Sequence, residues 1–453
     1  MRTTRRRSEI SDDIVHVHGG VVPMIDKINS LGIPEIITEN LGKRPPQSKY
    51  QYDKAILAYI MSNYCYGHRL RNIESARKGF SIVEELKIPN HVTIGRIFKT
   101  LATPTEYTSS VNLKNSTKTK HYAFNENHRL NEMMVMISKR MGLLKEGVKY
   151  TLDMDATLIE TEVQEANMTY KRHKGFTNLV CSINNIVVSV SVRSGNSGPM
   201  WNQLTTLKST IEMLRDRFNI TIDTIRIDGG GYMKELFNYI TSQNMKFIIG
   251  AKWAKGTYKQ FDNAFWEKGI LETSTHKWDA EFAIVPFHLT DSKITYYMCA
   301  SRVKAEERMK NEKEIDFPTK WKLVDGYYYK FIINTEKYVS PKEIVYKYHF
   351  RSIAESVFCH LKQSFGWTHP PFGKINENSV YFIITAIASN IYQGLLKYFS
   401  KKIYSIEPNI LFKTFYDIFI CVCFSYDEKE KRYSFKRTKV GREMKDVIFR
   451  HLV

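Results

Sequence analysis

Up to about residue 145 the apolar positions recur at helical spacing. One periodic run covers Ala55–Tyr66. After Pro89, PNHVTIGRIFKTL puts Ile94, Ile97, Phe98 and Leu101 on one helical face, with Thr93 placed to cap it. From Val148 the period shortens to two. VKYTLDMDATLIE, FTNLVCSI and IVVSVSVRSG read as strands, the last two joined by a hairpin turn at Asn184-Asn185. A helix is expected over Gln203–Phe218, a strand at TIRID, a turn at Gly229–Gly231, a helix at YMKELFNYITSQ and a fifth strand at KFIIGA. From about 251 to 345 strand alternation continues in EFAIVPFHL, ITYYMCASRV and DGYYYKFIINT. YHFRSIAESVFCHLKQSF then returns to helical spacing, and a second, more apolar helix follows at about 378–399.

The order β-β-β-α-β-α-β, completed by a late helix, predicts an α/β chain. Its core is RNase H-like, a mixed five-stranded sheet with helices, interrupted by a β-rich insertion. The expected divisions are a helical N-terminal region (1–145), a core (146–250 and 346–400), the insertion (251–345) and a basic C-terminal region (401–453) carrying Lys436, Arg437, Lys439, Arg442, Lys445 and Arg450. The run Val380–Leu396 contains Thr385, Ser389, Asn390 and Gln393, so it reads as a buried core helix and not a membrane span.

Composition adds one strong constraint. Lys and Arg number 67 against 47 Asp and Glu, a net charge of +20, which favours a nucleic-acid partner through counterion release, the alternatives being an anionic membrane or a basic protein with no polyanion. The N-terminal helices carry Arg69, Arg71, Arg77, Lys78, Arg96 and Lys99, which suits docking on DNA and equally suits a solvated basic face. The six cysteines form no C-x-x-C pair and read as reduced thiols of a cytoplasmic protein. No apolar stretch of the signal-peptide kind follows the Arg-rich Met1–Arg7. His16 and His18 have no third ligand at zinc-site spacing.

Metal-assisted phosphodiester chemistry needs a few carboxylates converging on one point, and hard Mg²⁺ takes oxygen ligands. Asp155 lies on the first predicted strand, Asp228 ends the fourth, and Glu355 lies on the late helix. An acid beside an open glycine turn is placed for a metal, although an Asp there also caps the turn. Asp153 and Asp155 share one strand face. Burying both requires cations or hydrogen bonds, and an exposed edge strand is the alternative. Tyr348, Arg351, Glu355 and Lys362 stand at offsets 0, 3, 7 and 14, one face of a helix whose opposite stripe is Ile353, Val357, Phe358, Leu361 and Phe365. Plain amphipathicity gives the same pattern. YKRHKGF (170–176) reads as a loop that tracks a phosphate backbone or is simply solvated.

The spacing Y-x2-R-x3-E-x6-K, matched at all four positions, resembles the signature of the DDE transposases of bacterial insertion sequences. DATL resembles the acid-x-Thr segment of their first Asp, and RIDGGGY the strand-end motif of the second. RLRNIESARK with IPNHVTIGRIFKTL resembles the N-terminal region of one insertion-sequence group. The resemblance implies that Asp155, Asp228 and Glu355 hold two Mg²⁺ or Mn²⁺ ions, with Asp155 preferred to Asp153 because Thr157 stands two residues after it. It also implies that Tyr348, Arg351 and Lys362 grip phosphates. The partners implied are double-stranded DNA (terminal inverted repeats and target) and a second copy of the chain in the DNA complex, with no membrane. The β-rich insertion is also a feature of the family, associated with closing over DNA and, in relatives, with a hairpin intermediate. An RNase H-like nuclease or resolvase without strand transfer would use the same triad. A non-enzymatic DNA-binding descendant would show loss of a carboxylate, and all three stand.

Overall fold

The N-terminal periodicity resolves into α1 (Val21–Ser30), α2 (Ile33–Leu41), α3 (Tyr52–Tyr66), α4 (Ile73–Gly79) and α5 (His91–Leu101). In this computed structural model the described residues are 17–67, 69–80, 88–111, 119–252, 256–272, 277–289, 294–306, 321–427, 432–435, 440 and 442–443. Met1–Arg7, His16 and the tail cations Lys436, Arg437, Lys439, Lys445 and Arg450 lie outside them. The chain divides into two units. The first takes the residues up to Leu101, Leu361–Pro371 and those from Ile384 on; the second takes Ala102–His360 and Phe372–Ile383.

Within the first unit, α5 buries Ile94, Ile97 and Phe98 as its spacing requires. Its cap is Asn90, whose Oδ1 accepts from the Thr93 N–H at 2.8 Å, so Thr93 is the donor and not the expected cap. Arg69, Arg71, Arg77, Lys78, Arg96 and Lys99 are all exposed. Tyr64, Phe365, Tyr392, Phe412 and Phe415 form an aromatic cluster, and the Tyr64 hydroxyl donates to the Ala388 carbonyl at 2.6 Å.

The second unit opens with β1 (Glu106–Val111), β2 (Thr119–Asn125) and α6 (His128–Arg140). Two strands therefore stand in a region expected to be helical. β3 (Lys149–Glu160), β4 (Asn167–Met168), β5 (Lys174–Ile183), β6 (Ile186–Ser194), α7 (Gln203–Glu212), β7 (Thr221–Ile227), α8 (Lys234–Ser242) and β8 (Lys246–Gly250) follow in the expected order. The hairpin turn is at Asn184, with φ +55°. The insertion supplies β9 (Glu267–Glu272), β10 (Lys277–His288), β11 (Thr295–Lys304), β12 (Lys322–Val324) and β13 (Tyr327–Asn334).

The five expected core strands are neighbours, in the order β6-β5-β3-β7-β8, with β3, β7 and β8 parallel. The five-stranded core is continued at both edges, so that the sheet has thirteen strands among the described residues. β2 pairs with β6 at one edge, and β13 pairs with β8 at the other, Ile332 opposite Gly250. Open edges leave unpaired backbone groups, and the added strands satisfy them. On one face of the core Leu152, Met154, Leu179, Ile225, Ile227, Phe247 and Ile249 pack with Leu207 and Ile211 of α7 and Leu236, Phe237 and Ile240 of α8. Ile248, on the alternate face, packs with Phe282, Cys299 and Ile332 of the insertion and with Ile344, Val345 and Tyr348 of α9 (Pro341–His349).

The late helix is two helices. α9 stops at His349, and α10 (Ser352–Ser364) begins after a break at Phe350-Arg351. The single helical face expected for Tyr348, Arg351, Glu355 and Lys362 is thereby corrected. α11 (Ile375–Phe399) is long and apolar enough to cross a membrane, but 94% of its most apolar window is buried inside the protein, as expected of a core helix. α12 (Phe412–Phe415) and the hairpin β14 (Phe424–Asp427) and β15 (Arg432–Phe435) follow.

Candidate active site

Asp155 pairs with Val180 of β5, and Met154 lies opposite Ile227, the last residue of β7. Parallel register therefore sets Asp228 level with Asp155. The Asp228 carboxylate accepts from the Gly230 N–H at 2.7 Å and caps the glycine turn. That turn is held close to the end of β8. A Cβ on Gly250 would come within 2.8 Å of the Gly229 nitrogen and 2.7 Å of the Tyr348 hydroxyl oxygen. Only glycine lets these two backbone segments and the phenol converge.

The Asp155 carboxylate accepts from the Ala156 N–H at 2.8 Å and from Arg351 Nη1 at 2.9 Å. Arg351 also donates through Nη2 to Glu355. Arg351 and Asp155 are largely buried, whereas the Glu355 side chain is 61% exposed. Burial pushes the Asp155 carboxyl up to about 6; the charges of Asp228 and Glu355 add to the rise, and Arg351 opposes it. Burial also lifts the Tyr348 phenol to about 12, against the pull of Arg351. Burial works against the charge of Arg351 itself, yet Tyr348, Asp155 and Glu355 hold it above the ordinary guanidinium range.

Asp153 does something different. Arg226 Nε and Nη2 donate to its two oxygens at 2.6 and 2.8 Å, a buried bidentate pair. Burial leaves the Asp153 carboxyl above its ordinary range even though Arg226 and Arg351 pull it down. The third Arg226 bond runs from Nη1 to the Lys347 carbonyl at 2.6 Å. Of the two strand acids, Asp153 is committed to a structural partner and Asp155 faces the other acids.

Asp228, Glu355, Tyr348 and Arg351 are thus gathered within electrostatic reach of Asp155 in the second unit. Lys362 is half-buried on the last turn of α10 and belongs to the first unit. Among the described residues no three acidic, His or Cys side chains converge closely enough to hold an ion. Arg351 links Asp155 to Glu355. The donor set still suits a divalent cation. All three are hard oxygen ligands, and a cation would relieve both the burial that raises Asp155 and the charges of Asp228 and Glu355 that add to the rise.

The other candidates separate cleanly. His18 is buried and bonds the Tyr416 hydroxyl at 2.9 Å, a core contact, while His16 lies outside the described residues. All six cysteines are free. YKRHKGF forms a tight tip between β4 and β5, closed by Thr169 N–H to the His173 carbonyl at 2.8 Å, with Tyr170, Lys171, Arg172 and His173 all exposed. Sequence reasoning missed Arg226. The signal was an Arg among the isoleucines of TIRID, on the strand face opposite Ile225 and Ile227.

Residues 146–391, more than half of the chain, match the family model described as transposase DDE domain. No curated protein matches the chain.

Proposed function

We propose that this chain, which belongs to the transposase DDE domain family, binds the ends of an insertion sequence and catalyses DNA cleavage and strand transfer on an RNase H-like core. The observation that carries the reading is Asp155, inside β3, level with Asp228, just past the end of the adjacent parallel β7, with Glu355 adding its charge to theirs. These three carboxylates would hold two Mg²⁺ or Mn²⁺ ions. When bound, the ions supply activation of a water or 3′-hydroxyl and stabilisation of the leaving oxygen. In cleavage, the water oxygen bonds to phosphorus and the P–O bond to the 3′ oxygen breaks. In joining, that 3′-hydroxyl attacks a target phosphorus and a second P–O bond breaks, with no external energy source required.

The chain's own groups have definite tasks. Tyr348, held as the neutral phenol well past pH 7, offers an O–H to a phosphate oxygen. Arg351 neutralises Asp155 and Glu355 until a substrate phosphate competes for its planar fork. Lys362 contributes a point charge to phosphate binding. The exposed basic residues of α4 and α5 read terminal-repeat DNA, two copies of the chain act in the complex with both DNA partners, and the protein works in the bacterial cytoplasm.

The test is a metal titration on an end-sequence duplex, with wild type and Glu355→Gln compared. Wild type should cleave with Mg²⁺ or Mn²⁺ and then join the freed 3′ end to target DNA. Glu355→Gln should bind the duplex and fail to cleave. Cleavage without joining would favour a nuclease or resolvase. Near wild-type cleavage by Glu355→Gln would remove Glu355 from the ligand set.

A further inference from the structure

In a continuous helix the Lys347 carbonyl would accept from the N–H of Arg351, four residues on. Here that carbonyl accepts from Arg226 Nη1 at 2.6 Å instead, and the Arg351 N–H turns to the Tyr348 carbonyl at 2.9 Å. The helix ends at His349 and restarts at Ser352, although no proline or glycine lies between. Kinks without those residues arise where another group enters the hydrogen-bond ladder. Arg226 is that group. It can be so only because Asp153 fixes the other two nitrogens of its guanidinium. The break matters because Arg351 lies within it, its side chain aimed at Asp155 and Glu355.

We propose that Arg226 is a positioning residue for the carboxylate site. Locked by Asp153, it breaks the late helix at Phe350-Arg351 and so sets where Arg351 and Glu355 stand relative to Asp155. Its fork spans two strands and one helix end, joining β3, β7 and α9 through bonds from three separate nitrogens, a planar spread that a single ammonium nitrogen does not reproduce. The proposal rests on reading Asp155, Asp228 and Glu355 as ion ligands.

The experiment uses the full-length chain and Mn²⁺ alone as the probe. It compares wild type, Arg226→Lys and the double variant Asp153→Leu/Arg226→Met. Two readouts are taken: metal-free thermal unfolding, and Mn²⁺ affinity from the free-ion signal in electron paramagnetic resonance. Replacing a buried ion pair by apolar residues of similar size commonly preserves stability, so the double variant should melt close to wild type. It should bind Mn²⁺ tenfold or more weakly, the loss typical when groups that orient metal ligands are removed. Arg226→Lys keeps a charge for Asp153 but cannot also hold the Lys347 carbonyl in the same geometry, and should fall in affinity too. Wild-type affinity in either folded variant would overturn the proposal and leave Arg226 as a fold contact. If the double variant does not fold, Arg226→Lys alone decides. A wild-type chain that takes up no Mn²⁺ would instead defeat the carboxylate reading, and the positioning role with it.

Discussion

Two aspartates separated by one residue have opposite fates. Asp153 is buried against Arg226 in a bidentate pair, and removing one member of such a pair leaves an uncompensated buried charge, at a cost of about 3–5 kcal/mol. Asp155 stands among other acids with its carboxyl raised to about 6. The unfolded chain holds that proton only up to about pH 4, so ionised Asp155 weakens the metal-free fold above pH 6. The strain is relieved as pH falls toward 4. Asn at 155 removes the charge, and at pH 7.5 in chelator it should stabilise the chain by on the order of 1–3 kcal/mol, at about 1.36 kcal/mol per unit. The expected pattern is therefore crossed. Asp155→Asn is inactive and at least as stable as wild type, whereas Asp153→Asn unfolds at distinctly lower urea. Urea unfolding in chelator alongside an end-cleavage assay checks both, and an active Asp155→Asn, or equal stability of the two variants, would reverse the assignment.

At the scale of the element, the turn carrying Asp228 depends on its neighbour strand. Gly250 closes β8 where any Cβ would meet the Gly229 backbone and the Tyr348 hydroxyl. Gly250→Ala must push that turn or α9 aside, so stability should drop by about 1–3 kcal/mol, as overpacking does. Cleavage should fall more than tenfold, because Asp228 and Tyr348 both move. Gly198→Ala, with open space around its Cβ position, is the control and should behave as wild type. Equal cleavage by both variants would mean that the close approach at Gly250 is unimportant. The strands around this turn were legible because each carries a local period of two and a local turn, such as Asn184-Asn185 or the glycines after Asp228. The helix break was not legible. Its cause is a guanidinium 121 residues earlier in the chain, acting on one carbonyl. The thirteen-stranded sheet was hidden for a similar reason, since the pairing of β13 with β8 and β2 with β6 is a property of edges brought together by the fold. Asp155, Asp228 and Glu355 could be picked from motif spacing, but the Arg351 bridge between two of them could not.

At the scale of the whole molecule, the charge of +20 implies salt-sensitive binding to DNA. The tip between β4 and β5 presents Lys171 and Arg172 to solvent. If both meet phosphates, Lys171→Ala/Arg172→Ala should reduce the log–log salt slope for duplex binding by about 1.8, at roughly 0.9 per contact. A parallel line for wild type and variant would leave the tip merely solvated.

Acid should weaken the molecule through histidines buried as neutral rings. Burial lowers His18 to about 4, although a bond involving the Cys65 backbone raises it. Burial likewise lowers His360 to about 4, and His349 also, there with help from the Lys330 charge. The ordinary value is near 6.5, so between pH 6.5 and 4 the unfolded chain binds more protons than the folded one. The stability these rings contribute is complete above 6.5 and is lost as pH falls through that window. The raised carboxyl of Asp155 acts in the opposite direction below pH 6, and the raised carboxyl of Asp153 acts in the same sense as Asp155, so the total curve mixes both effects. A single variant isolates one group. His18→Gln keeps a polar side chain for the Tyr416 hydroxyl but cannot titrate. At pH 7.5 wild type should be the more stable of the two. As pH is lowered to 4.5, wild type alone must accept a proton on unfolding, so its advantage should shrink by on the order of 1–3 kcal/mol, at about 1.36 kcal/mol per unit. Denaturant unfolding of both proteins at half-unit pH steps measures it. A gap that stays constant from pH 7.5 to 4.5 would show that His18 titrates alike in the folded and unfolded chains, and that its burial does not hold it neutral.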